Sequence, residues 1–325
     1  MAFLDKIKAP IKDEMAKFEV IFKSSMKSKV KILDIITNYI IRQKGKQMRP
    51  MFVFLSAKLN GIPSDATFTA ASLIELLHTA TLIHDDVVDE AYERRGLFSI
   101  NAIWKSKIAV LMGDYLLAKG LLLSVENKAY DLLEIVSEAV REMSEGELLQ
   151  IQRSRTMNIN KEQYFEIIRK KTATLIASCT ASGAKSVGCN EEVVTRMKHF
   201  GEYVGLAFQI KDDLFDYQPT SGLIGKPTGN DIKEKKITLP LIYALEQSST
   251  KEKKHILRTI SKNSTKAENV KTVIQFVTDK GGLEYATNQM HIYKNKALDI
   301  LTIYPDSSVK QAMIDLVNYT IERIK

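Results

Sequence analysis

The segment LIHDDVVDEAYERRG, residues 82–96, places three carboxylates within five positions at the end of an apolar stretch. Asp85 and Asp89 are four residues apart, so on a helix their side chains project from one face, one turn apart. Like charges at this spacing repel each other, and Mg²⁺ supplies a reason for keeping them together. This ion takes one or two carboxylates and completes its shell with water and phosphate oxygens. The segment therefore predicts an apolar helix that ends in a metal-binding turn.

The same pattern recurs in QIKDDLFDY, residues 209–217, where Asp212, Asp213 and Asp216 follow an apolar stretch. A single copy of this pattern is more typical of a solvated helix end. Two copies, each on an apolar helix and each followed by basic residues, indicate a function. We predict that the two motifs bind diphosphate groups through bridging Mg²⁺.

Carboxylates alone cannot hold a diphosphate, because its oxygens need metal ions and cationic donors around them. Basic side chains follow both motifs and also occupy an earlier turn. They are Arg94 and Arg95 after the first motif, Lys226, Lys233, Lys235 and Lys236 after the second, and Lys46 and Arg49 in GKQMRP, residues 45–50. Any one cluster alone is equally typical of solvated surface. Several of them around two carboxylate motifs favour anion binding.

The proline distribution indicates an all-α fold. Seven prolines occur, and none lies between Ser64 and Gln218, a span in which apolar residues recur at helical spacing. We predict a single domain over residues 1–325, a bundle of roughly ten or more helices. The principal helices are predicted at 13–42, 65–91, 107–123, 129–152, 161–183, 191–217 and 281–303. Two polar stretches, 219–236 and 248–266, are the candidates for disorder.

Composition excludes several classes of partner. The net charge is +8, but the basic residues are spread out without interleaved aromatics, so we expect no nucleic-acid partner. The N-terminus has charges every few residues, unlike a signal peptide, and the most apolar stretch, 108–125, is interrupted by Asp114 and Lys119. We expect no membrane span. The two cysteines, Cys179 and Cys189, fit no common zinc or redox spacing, which predicts reduced thiols and a cytoplasmic protein.

Taken together, the motifs resemble those of the trans-prenyl diphosphate synthases, the polyprenyl synthetase family of head-to-tail chain elongation enzymes, and in particular the long-chain, octaprenyl-type bacterial members. The resemblance covers most of the chain. The matching segments are GKQMRP at 45–50, LIHDDVVDEAYERRG at 82–96, MGDYLLAKG at 112–120, KTATLI at 171–176, FQIKDDLFDY at 208–217, GKPTGNDIKEKKITLP at 225–240 and the tail from Tyr319 to Arg323.

The resemblance implies long helices around a deep central cavity, a homodimer, and both Asp motifs facing across the cavity mouth. Three Mg²⁺ ions would bridge an allylic diphosphate. The implied metal ligands are Asp85, Asp89 and Asp212, with Asp216 acting more distantly, through water. The implied allylic diphosphate site is Arg94, Lys171, Gln209, Lys226 and Lys236, and the implied metal-free isopentenyl diphosphate site is Lys46, Arg49, His78 and Arg95.

The implied reaction needs no protein nucleophile. Divalent ions and cationic side chains neutralise charge as the allylic C–O bond breaks, and isopentenyl diphosphate then attacks the allylic cation. Thr172, the Lys171 backbone and Gln209 would direct oxygen dipoles toward the cation. The implied partners are therefore isopentenyl diphosphate and an allylic primer, with at most peripheral membrane contact for product release.

Residues before the first motif are expected to set product length. Ala80 lies five residues before Asp85, about 7.5 Å lower along a helix. In the family a bulky aromatic at this level closes the cavity. Because Ala80 and Thr81 are small and Leu77 lies a turn deeper, we expect a long product, about C30–C50, for quinone side chains. A C15 or C20 product is the alternative, with the cavity floor on another helix, at Leu122 or Phe165.

Other classes of protein fit less well. Glu75 with His78, and Glu252 with His255, have the Glu-x-x-His spacing of di-iron bundles, but the second pair lies in a polar stretch where an inward ligand is not expected. A terpene cyclase would have no use for a second diphosphate site. A non-catalytic subunit of a heteromeric synthase would be expected to carry degraded Asp motifs, and both motifs are intact. His84 is expected to be a helix-packed, structural histidine.

Overall fold

A computed structural model describes residues 2–42, 45–94, 96–217 and 229–322 of the 325-residue chain. Within them nearly every element is a helix, which confirms the all-α prediction. In chain order the helices are α1 Ala2–Lys8, α2 Lys12–Ser25, α3 Lys31–Arg42, α4 Met48–Asn60, α5 Asp65–Val88, α6 Ile100–Glu126, α7 Tyr130–Thr156, α8 Lys161–Ile168, α9 Thr174–Lys185, α10 Glu191–Phe215, α11 Asn230–Lys233, α12 Leu239–Glu246, α13 Thr250–Asn263, α14 Ala267–Asp279, α15 Gly282–Leu301 and α16 Ser308–Glu322.

Four short elements complete the fold of the described residues. A 3₁₀ turn covers Ala9–Ile11, and a π-helical turn covers Arg169–Ala173 between α8 and α9. Two-residue strands, β1 Glu93–Arg94 and β2 Leu97–Phe98, pair antiparallel with Arg94 opposite Leu97. Gly96 has φ +75° in the turn between them, a conformation that glycine adopts without strain.

The chain divides into two compact units. The first unit contains Met1–Val140, Ile176–Lys198 and Tyr304–Asp315, and the second contains Arg141–Leu175, His199–Ile303 and Leu316–Lys325. Each is described by itself below. The expectation of a single domain over residues 1–325 stays a prediction.

In the first unit, α5 packs along α6 around a buried apolar cluster. Its members are Met26, Ile36, Leu76, Ala80, Ile83, Ile100, Ala109, Met112 and Leu116. Gly120 of α6 lies against Leu73 and Leu77 of α5, where an added Cβ would come within 3.2–3.3 Å of their side chains. The helix that carries the first Asp motif is therefore fixed along most of its length.

In the second unit, small residues bring helices close to the π-helical turn. An added Cβ at Gly205 of α10 would lie 2.7 Å from the Ala173 Cβ, and one at Gly146 of α7 would lie 2.7 Å from the Lys171 backbone nitrogen. Further along the chain α12 packs against α15, where Tyr243 and Tyr285 stack with ring centroids 4.2 Å apart. The π-helical turn is thus held between two helices.

The predicted helix over 13–42 is wrong, because the chain breaks between Ser25 and Lys31 into α2 and α3. Serine side chains bond the local backbone here: Ser25 Oγ donates to the Phe22 carbonyl at 2.8 Å, and Ser28 Oγ accepts from the Val30 N–H at 3.1 Å. Such bonds compete with the helical ladder. The prediction for 161–183 likewise missed the π-helical turn.

The polar stretch 248–266, a candidate for disorder, instead forms α13. Ser249 Oγ accepts from the Glu252 N–H at 3.3 Å, and the Glu252 carboxylate accepts from the Ser249 N–H at 2.8 Å, which makes a capping box. Ile256 and Ile260 are buried on the inner face. Two buried isoleucines and a cap suffice to order a helix whose other positions, apart from Leu257, are polar.

Two described helices are long and apolar enough to cross a membrane by length and composition alone. The apolar window of α5 is 72% buried, as in the core helix of a globular protein, whereas that of α6 is 33% buried. The exposed face of α6 needs a separate explanation.

Candidate active site

The first Asp motif divides its carboxylates between two sides of a helix end. α5 ends at Val88, and the Asp89 N–H donates to the Asp85 carbonyl at 2.8 Å, so both residues belong to the last turn. Asp85 and Asp89 are exposed, as their four-residue spacing predicts. Asp86, about 100° further round the helix, is 2% exposed. The motif thus presents two carboxylates to solvent and one to the interior.

The buried carboxylate of Asp86 pairs with Arg94, a residue predicted to bind the allylic diphosphate. Arg94 on β1 donates from Nε to Asp86 Oδ1 at 2.7 Å, and its Nη2 lies 2.6 Å from the same oxygen. The β1–β2 turn that follows the motif returns Arg94 to the helix that carries Asp86. Arg94 is therefore held at a fixed place beside the metal-binding turn.

A cavity of about 70 Å³ lies beside this ion pair in the first unit. Its lining includes Gly45, Gln47, His78, Asp86 and Arg94. Two residues predicted to bind diphosphate groups, His78 and Arg94, are thus brought together around one space.

Two further residues predicted for isopentenyl diphosphate, Lys46 and Arg49, lie near the start of α4. Lys46 is exposed and Arg49 is half-buried in the first turn of α4. Arg95 lies outside the described residues. Gln47, with φ +54°, turns the chain into the helix.

The second Asp motif also divides its carboxylates, in the second unit. Asp212 is half-buried, whereas Asp213 is 5% exposed. Asp216 accepts two backbone hydrogen bonds, from Asn230 N–H to Oδ1 at 2.8 Å and from Asp231 N–H to Oδ2 at 3.0 Å. Asp216 therefore anchors the segment that leads to Lys236. Its predicted role as a distant metal ligand stays a prediction.

Asp213 is the centre of a buried hydrogen-bond chain. Its Oδ2 accepts from the Tyr164 hydroxyl at 2.6 Å, and its Oδ1 accepts from Gln209 Nε2 at 2.9 Å. Gln209 Oε1 in turn accepts from the Thr172 hydroxyl at 2.7 Å. Burial, aided by the nearby Asp231, raises the pKa of Asp213 to about 8, while the bonds from Tyr164 and Gln209 oppose the rise. The predicted residues Thr172 and Gln209 are in direct contact.

A cavity of about 120 Å³ lies beside this chain. Besides Tyr164, Thr172, Gln209 and Asp213 it is lined by Lys171 and Lys236. Lys171 pairs with Glu147 and donates to Gln150 Oε1 at 3.3 Å, and Lys236 pairs with Glu234 at 2.5 Å. Two predicted diphosphate ligands are thus placed at the cavity by carboxylates. Lys226 lies outside the described residues.

Asp86 and Asp213 were predicted only as members of the Asp motifs, without the anchoring roles described above, and Tyr164 was not predicted as part of the site. For the two aspartates the signal was available, because each follows a predicted metal ligand by one position and so points about 100° away from it. No sequence signal distinguished Tyr164 from other aromatic residues of the helix core.

The donor set fits Mg²⁺. Within residues 2–42, 45–94, 96–217 and 229–322, no three His, Cys, Asp or Glu side chains are gathered closely enough to enclose an ion. Mg²⁺ needs no such cage, since it takes one or two carboxylates plus water and substrate phosphate. The exposed pair Asp85 and Asp89, one turn apart, meets that requirement.

The residues predicted to set product length face different ways. Thr81, four residues before Asp85, lies on the same helical face and is half-buried, with its hydroxyl donating to the His78 carbonyl at 2.8 Å. Ala80 is fully buried in the cluster with Met112 and Leu116.

Leu77 is four residues before Thr81, so its side chain projects from the same side of α5. Leu77 contacts Gly120. Of the two alternative floor residues, Leu122 is 54% exposed, and the Phe165 ring packs against Tyr164 and Tyr293. The length-setting role of all these residues stays a prediction.

His84 is packed against a neighbouring helix, whereas His255 is exposed to solvent. His84 packs against Gly113, where no Cβ would fit, and its Nε2 lies 3.2 Å from the Val110 carbonyl. His255 is exposed on α13, and the neighbouring Glu252 pairs with Lys280 at 2.9 Å. His84 thus has the helix-packed position expected of a structural histidine.

Comparison with known proteins gives the family. The Polyprenyl synthetase family model matches residues 30–277. The octaprenyl diphosphate synthase of Escherichia coli (strain K12) is 33% identical over 98% of this chain and 99% of its own. A solved polyprenyl synthase from Caulobacter crescentus, complexed with calcium and isoprenyl diphosphate, is 32% identical with a TM-score of 0.89, covering 98% of each chain.

A third relative has a shorter product in its name. The solved geranylgeranyl pyrophosphate synthase from Bacteroides thetaiotaomicron is 38% identical with a TM-score of 0.84, covering 99% of this chain and 100% of its own. All three relatives match nearly full length, and the family resemblance predicted from the motifs is confirmed. The chain belongs to the polyprenyl synthetase family and is a prenyltransferase.

Proposed function

We propose that the protein condenses isopentenyl diphosphate with an allylic diphosphate, head to tail, to make an all-trans polyprenyl diphosphate of about C30–C50 for quinone side chains. The observation that carries the proposal is the outward pair Asp85 and Asp89 beside a cavity lined by His78 and Arg94. Outward carboxylates next to cationic donors suit a substrate that arrives as a metal-bound diphosphate.

The aspartates of the two motifs and the basic residues around them have proposed roles in binding metal ions and the two diphosphates. Bound Mg²⁺, as three ions, would neutralise the diphosphate charge that develops as the C–O bond breaks. Asp85, Asp89 and Asp212 would hold the ions directly and Asp216 through water. The allylic diphosphate is bound by Arg94, Lys171, Gln209, Lys226 and Lys236, and isopentenyl diphosphate by Lys46, Arg49, His78 and Arg95.

The reaction proceeds by ionisation. The allylic C–O bond breaks and its electron pair leaves with diphosphate, and the double bond of isopentenyl diphosphate then attacks the allylic cation. The proton lost from the new chain passes to the released diphosphate. Because both substrates are held together, the attack is effectively intramolecular. Thr172, Gln209 and the Lys171 carbonyl offer oxygen dipoles to the cation.

A long product is favoured over a short one. The full-length likeness to an octaprenyl diphosphate synthase and the small side chain of Thr81 beneath Asp85 support it. A C20 product is the second candidate, since a geranylgeranyl pyrophosphate synthase is 38% identical. A non-catalytic subunit is disfavoured because the residues of both Asp motifs are present.

We also propose that the protein is a homodimer through α6. Six apolar side chains on this helix are 40–54% exposed: Ile103, Val110, Leu111, Leu121, Leu122 and Val125. Contiguous exposed apolar surface on a globular protein marks an interaction site. A second copy of the chain would bury it.

A cytoplasmic location with peripheral membrane contact fits the product, which becomes lipid-like as it grows. The cations Lys251, Lys254, Arg258 and Lys262 follow one face of α13, and none pairs with a carboxylate of the described residues. Such a stripe attracts an anionic bilayer surface. We expect sedimentation with anionic vesicles at low salt, and equal binding to neutral vesicles would contradict this contact.

The direct test of the site compares motif variants. Asp85→Ala and Asp212→Ala should each lose most prenyl transfer, about 10³-fold or more in turnover, while circular dichroism shows unchanged helix content. Asp306→Ala, at a fully exposed carboxylate, is the control and should keep full turnover. Chelation of divalent ions should abolish activity of the unaltered protein. Full turnover in the motif variants would overturn the proposed roles.

A further inference from the structure

A chain of four side chains runs through the second unit, from Tyr164 through Asp213 and Gln209 to Thr172. Its three links are 2.6, 2.9 and 2.7 Å long. Tyr164 is 3% and Asp213 is 5% exposed, so the inner end of the chain is shielded from water. Hydrogen bonds in such surroundings are electrostatically stronger than in water.

The direction of each hydrogen bond follows from the chemistry of Gln209. A side-chain amide has a donating NH₂ end and an accepting oxygen end. With the NH₂ end on Asp213 Oδ1, the Gln209 oxygen must face Thr172. Both Asp213 oxygens accept here, Oδ2 from Tyr164 and Oδ1 from Gln209, and reversal of the amide would remove the donor from Oδ1. Asp213 therefore fixes the orientation of the amide.

The orientation of the amide in turn fixes the hydroxyl of Thr172. A threonine hydroxyl has one proton and two lone pairs. Because the proton is donated to Gln209 Oε1, the Thr172 oxygen has only lone pairs left for other directions. Thr172 lines the cavity of about 120 Å³ together with the chain and Lys171. A group in that cavity would meet an oxygen with partial negative charge.

The backbone supports the same arrangement. Gln209 and Asp213 are four residues apart on α10 and so share a face. Thr172 lies in the π-helical turn, a feature frequently found at functional sites. Gly205, one turn before Gln209, brings α10 against Ala173, the residue after Thr172. The chain thus joins α8, the π-helical turn and α10.

We propose that Tyr164 and Asp213 are positioning residues for prenyl transfer, which orient Gln209 so that the Thr172 oxygen presents lone pairs to the developing allylic cation. The inference rests on the proposed function, since it assigns the cavity to the allylic carbon. Without the chain, the Thr172 hydroxyl can turn its proton toward the cavity, and that dipole opposes the cation. The Tyr164 hydroxyl therefore acts on turnover more than on diphosphate binding, because four of the five proposed allylic diphosphate ligands lie outside the chain.

The test uses variants that remove one hydroxyl each. Tyr164→Phe keeps the ring that packs on Phe165, at 5.4 Å between centroids, and deletes the first link. We expect kcat to fall roughly tenfold and KM for either substrate to change less than about twofold. Tyr243→Phe is the matched control: it deletes another tyrosine hydroxyl of the second unit, keeps the ring that stacks on Tyr285 at 4.2 Å between centroids, and should keep kcat.

A double variant separates positioning from stability. Thr172→Val should lower kcat at least as far as Tyr164→Phe, and Thr172→Ser should recover most of that loss because it restores the hydroxyl. The double variant Tyr164→Phe/Thr172→Val should be no slower than Thr172→Val alone, since Tyr164 acts through Thr172. A merely structural Tyr164 would instead give additive losses that follow the melting temperature.

The outcomes distinguish this inference from the proposed function. Full kcat in Tyr164→Phe or in Thr172→Val, with an active unaltered protein, overturns the positioning role alone. No prenyl transfer by the unaltered protein overturns the proposed function. If Tyr164→Phe does not fold, the Thr172→Val and Thr172→Ser pair still decides whether the hydroxyl at the cavity matters.

Discussion

The middle carboxylate of each Asp motif has a different duty from its neighbours. Asp86 binds Arg94, and Asp213 binds Gln209 and Tyr164, while Asp85 and Asp89 face solvent. A helix turns about 100° per residue, so adjacent aspartates necessarily point apart. In each motif the second aspartate is therefore an inward anchor for neighbouring side chains, and in the first motif the other two carboxylates face outward.

This division predicts coupled stability effects at the Asp86–Arg94 pair. Removal of either partner leaves a largely buried polar group without its counterpart, so Asp86→Asn and Arg94→Gln should each lower the free energy of unfolding by about 1–3 kcal/mol. The double variant should be little worse than either single one, as measured by urea denaturation. Asp89→Asn, at an exposed carboxylate, is the control and should change stability by less than about 0.5 kcal/mol. Additive losses would show that Asp86 and Arg94 do not stabilise each other.

Product length gives a second prediction at single residues. Thr81 lies beneath Asp85, so Thr81→Tyr should shorten the main product sharply without a large loss of stability. Ala80→Tyr should also shorten it on the expectation drawn from the sequence, but Ala80 belongs to a full cluster, and the extra volume should cost about 1–3 kcal/mol of stability. Mass analysis of products and thermal unfolding separate the two. Unchanged product length in Thr81→Tyr would exclude that face as the length-setting surface.

The outward carboxylates were predictable, whereas the partners of their inward neighbours were not. The four-residue spacing of Asp85 and Asp89 fixes a shared face, and solvent on that face follows from like charge. The sequence does not say that Arg94 returns to Asp86, since that depends on the β1–β2 turn at Gly96. Tyr164 contacts Asp213 across 49 residues of chain, a separation that no local pattern encodes.

Among the elements of the second unit, the π-helical turn should be the most sensitive to changes in packing. Gly205→Ala should push α10 away from Ala173, because the added Cβ would overlap the Ala173 Cα and lie 2.7 Å from its Cβ. The Cα is a backbone atom and cannot move aside without shifting the π-helical turn. We expect a loss of about 1–3 kcal/mol in stability and a fall in kcat through Thr172 and Gln209. Gly120→Ala is the comparison variant in α6. Its Cβ meets only flexible leucine ends at 3.2–3.3 Å, so stability should change little. Equal effects of the two substitutions would contradict the close approach at Gly205.

The long helices were easier to predict from the sequence than the breaks between helices. The proline-free span from Ser64 to Gln218 favoured long helices, and α5, α7 and α10 follow. The break after Ser25 depends on serine hydroxyls that bond the backbone, and α13 depends on two buried isoleucines beneath a polar face. Both features rest on one or two side chains, too few to change a periodic pattern.

At the scale of the whole molecule, the exposed apolar face of α6 predicts a dimer. Leu111→Glu should convert the protein to a monomer at micromolar concentration, because a charge would be buried in the apolar interface. Leu148→Glu, at a leucine 67% exposed on α7, is the control and should leave the assembly unchanged. Analytical ultracentrifugation measures both. A monomeric unaltered protein at the same concentration would remove the proposed role of this face.

The measurement that tests the central claim most directly is the mass of the product. The purified protein is incubated with Mg²⁺, isopentenyl diphosphate and each allylic primer in turn, and the dephosphorylated products are weighed by mass spectrometry. We expect a main product of about C30–C50 that disappears when divalent ions are chelated, since the charge on the leaving diphosphate is then not neutralised. A main product of C15 or C20 would contradict the long-chain assignment, and no elongation with any primer would contradict prenyl transfer itself.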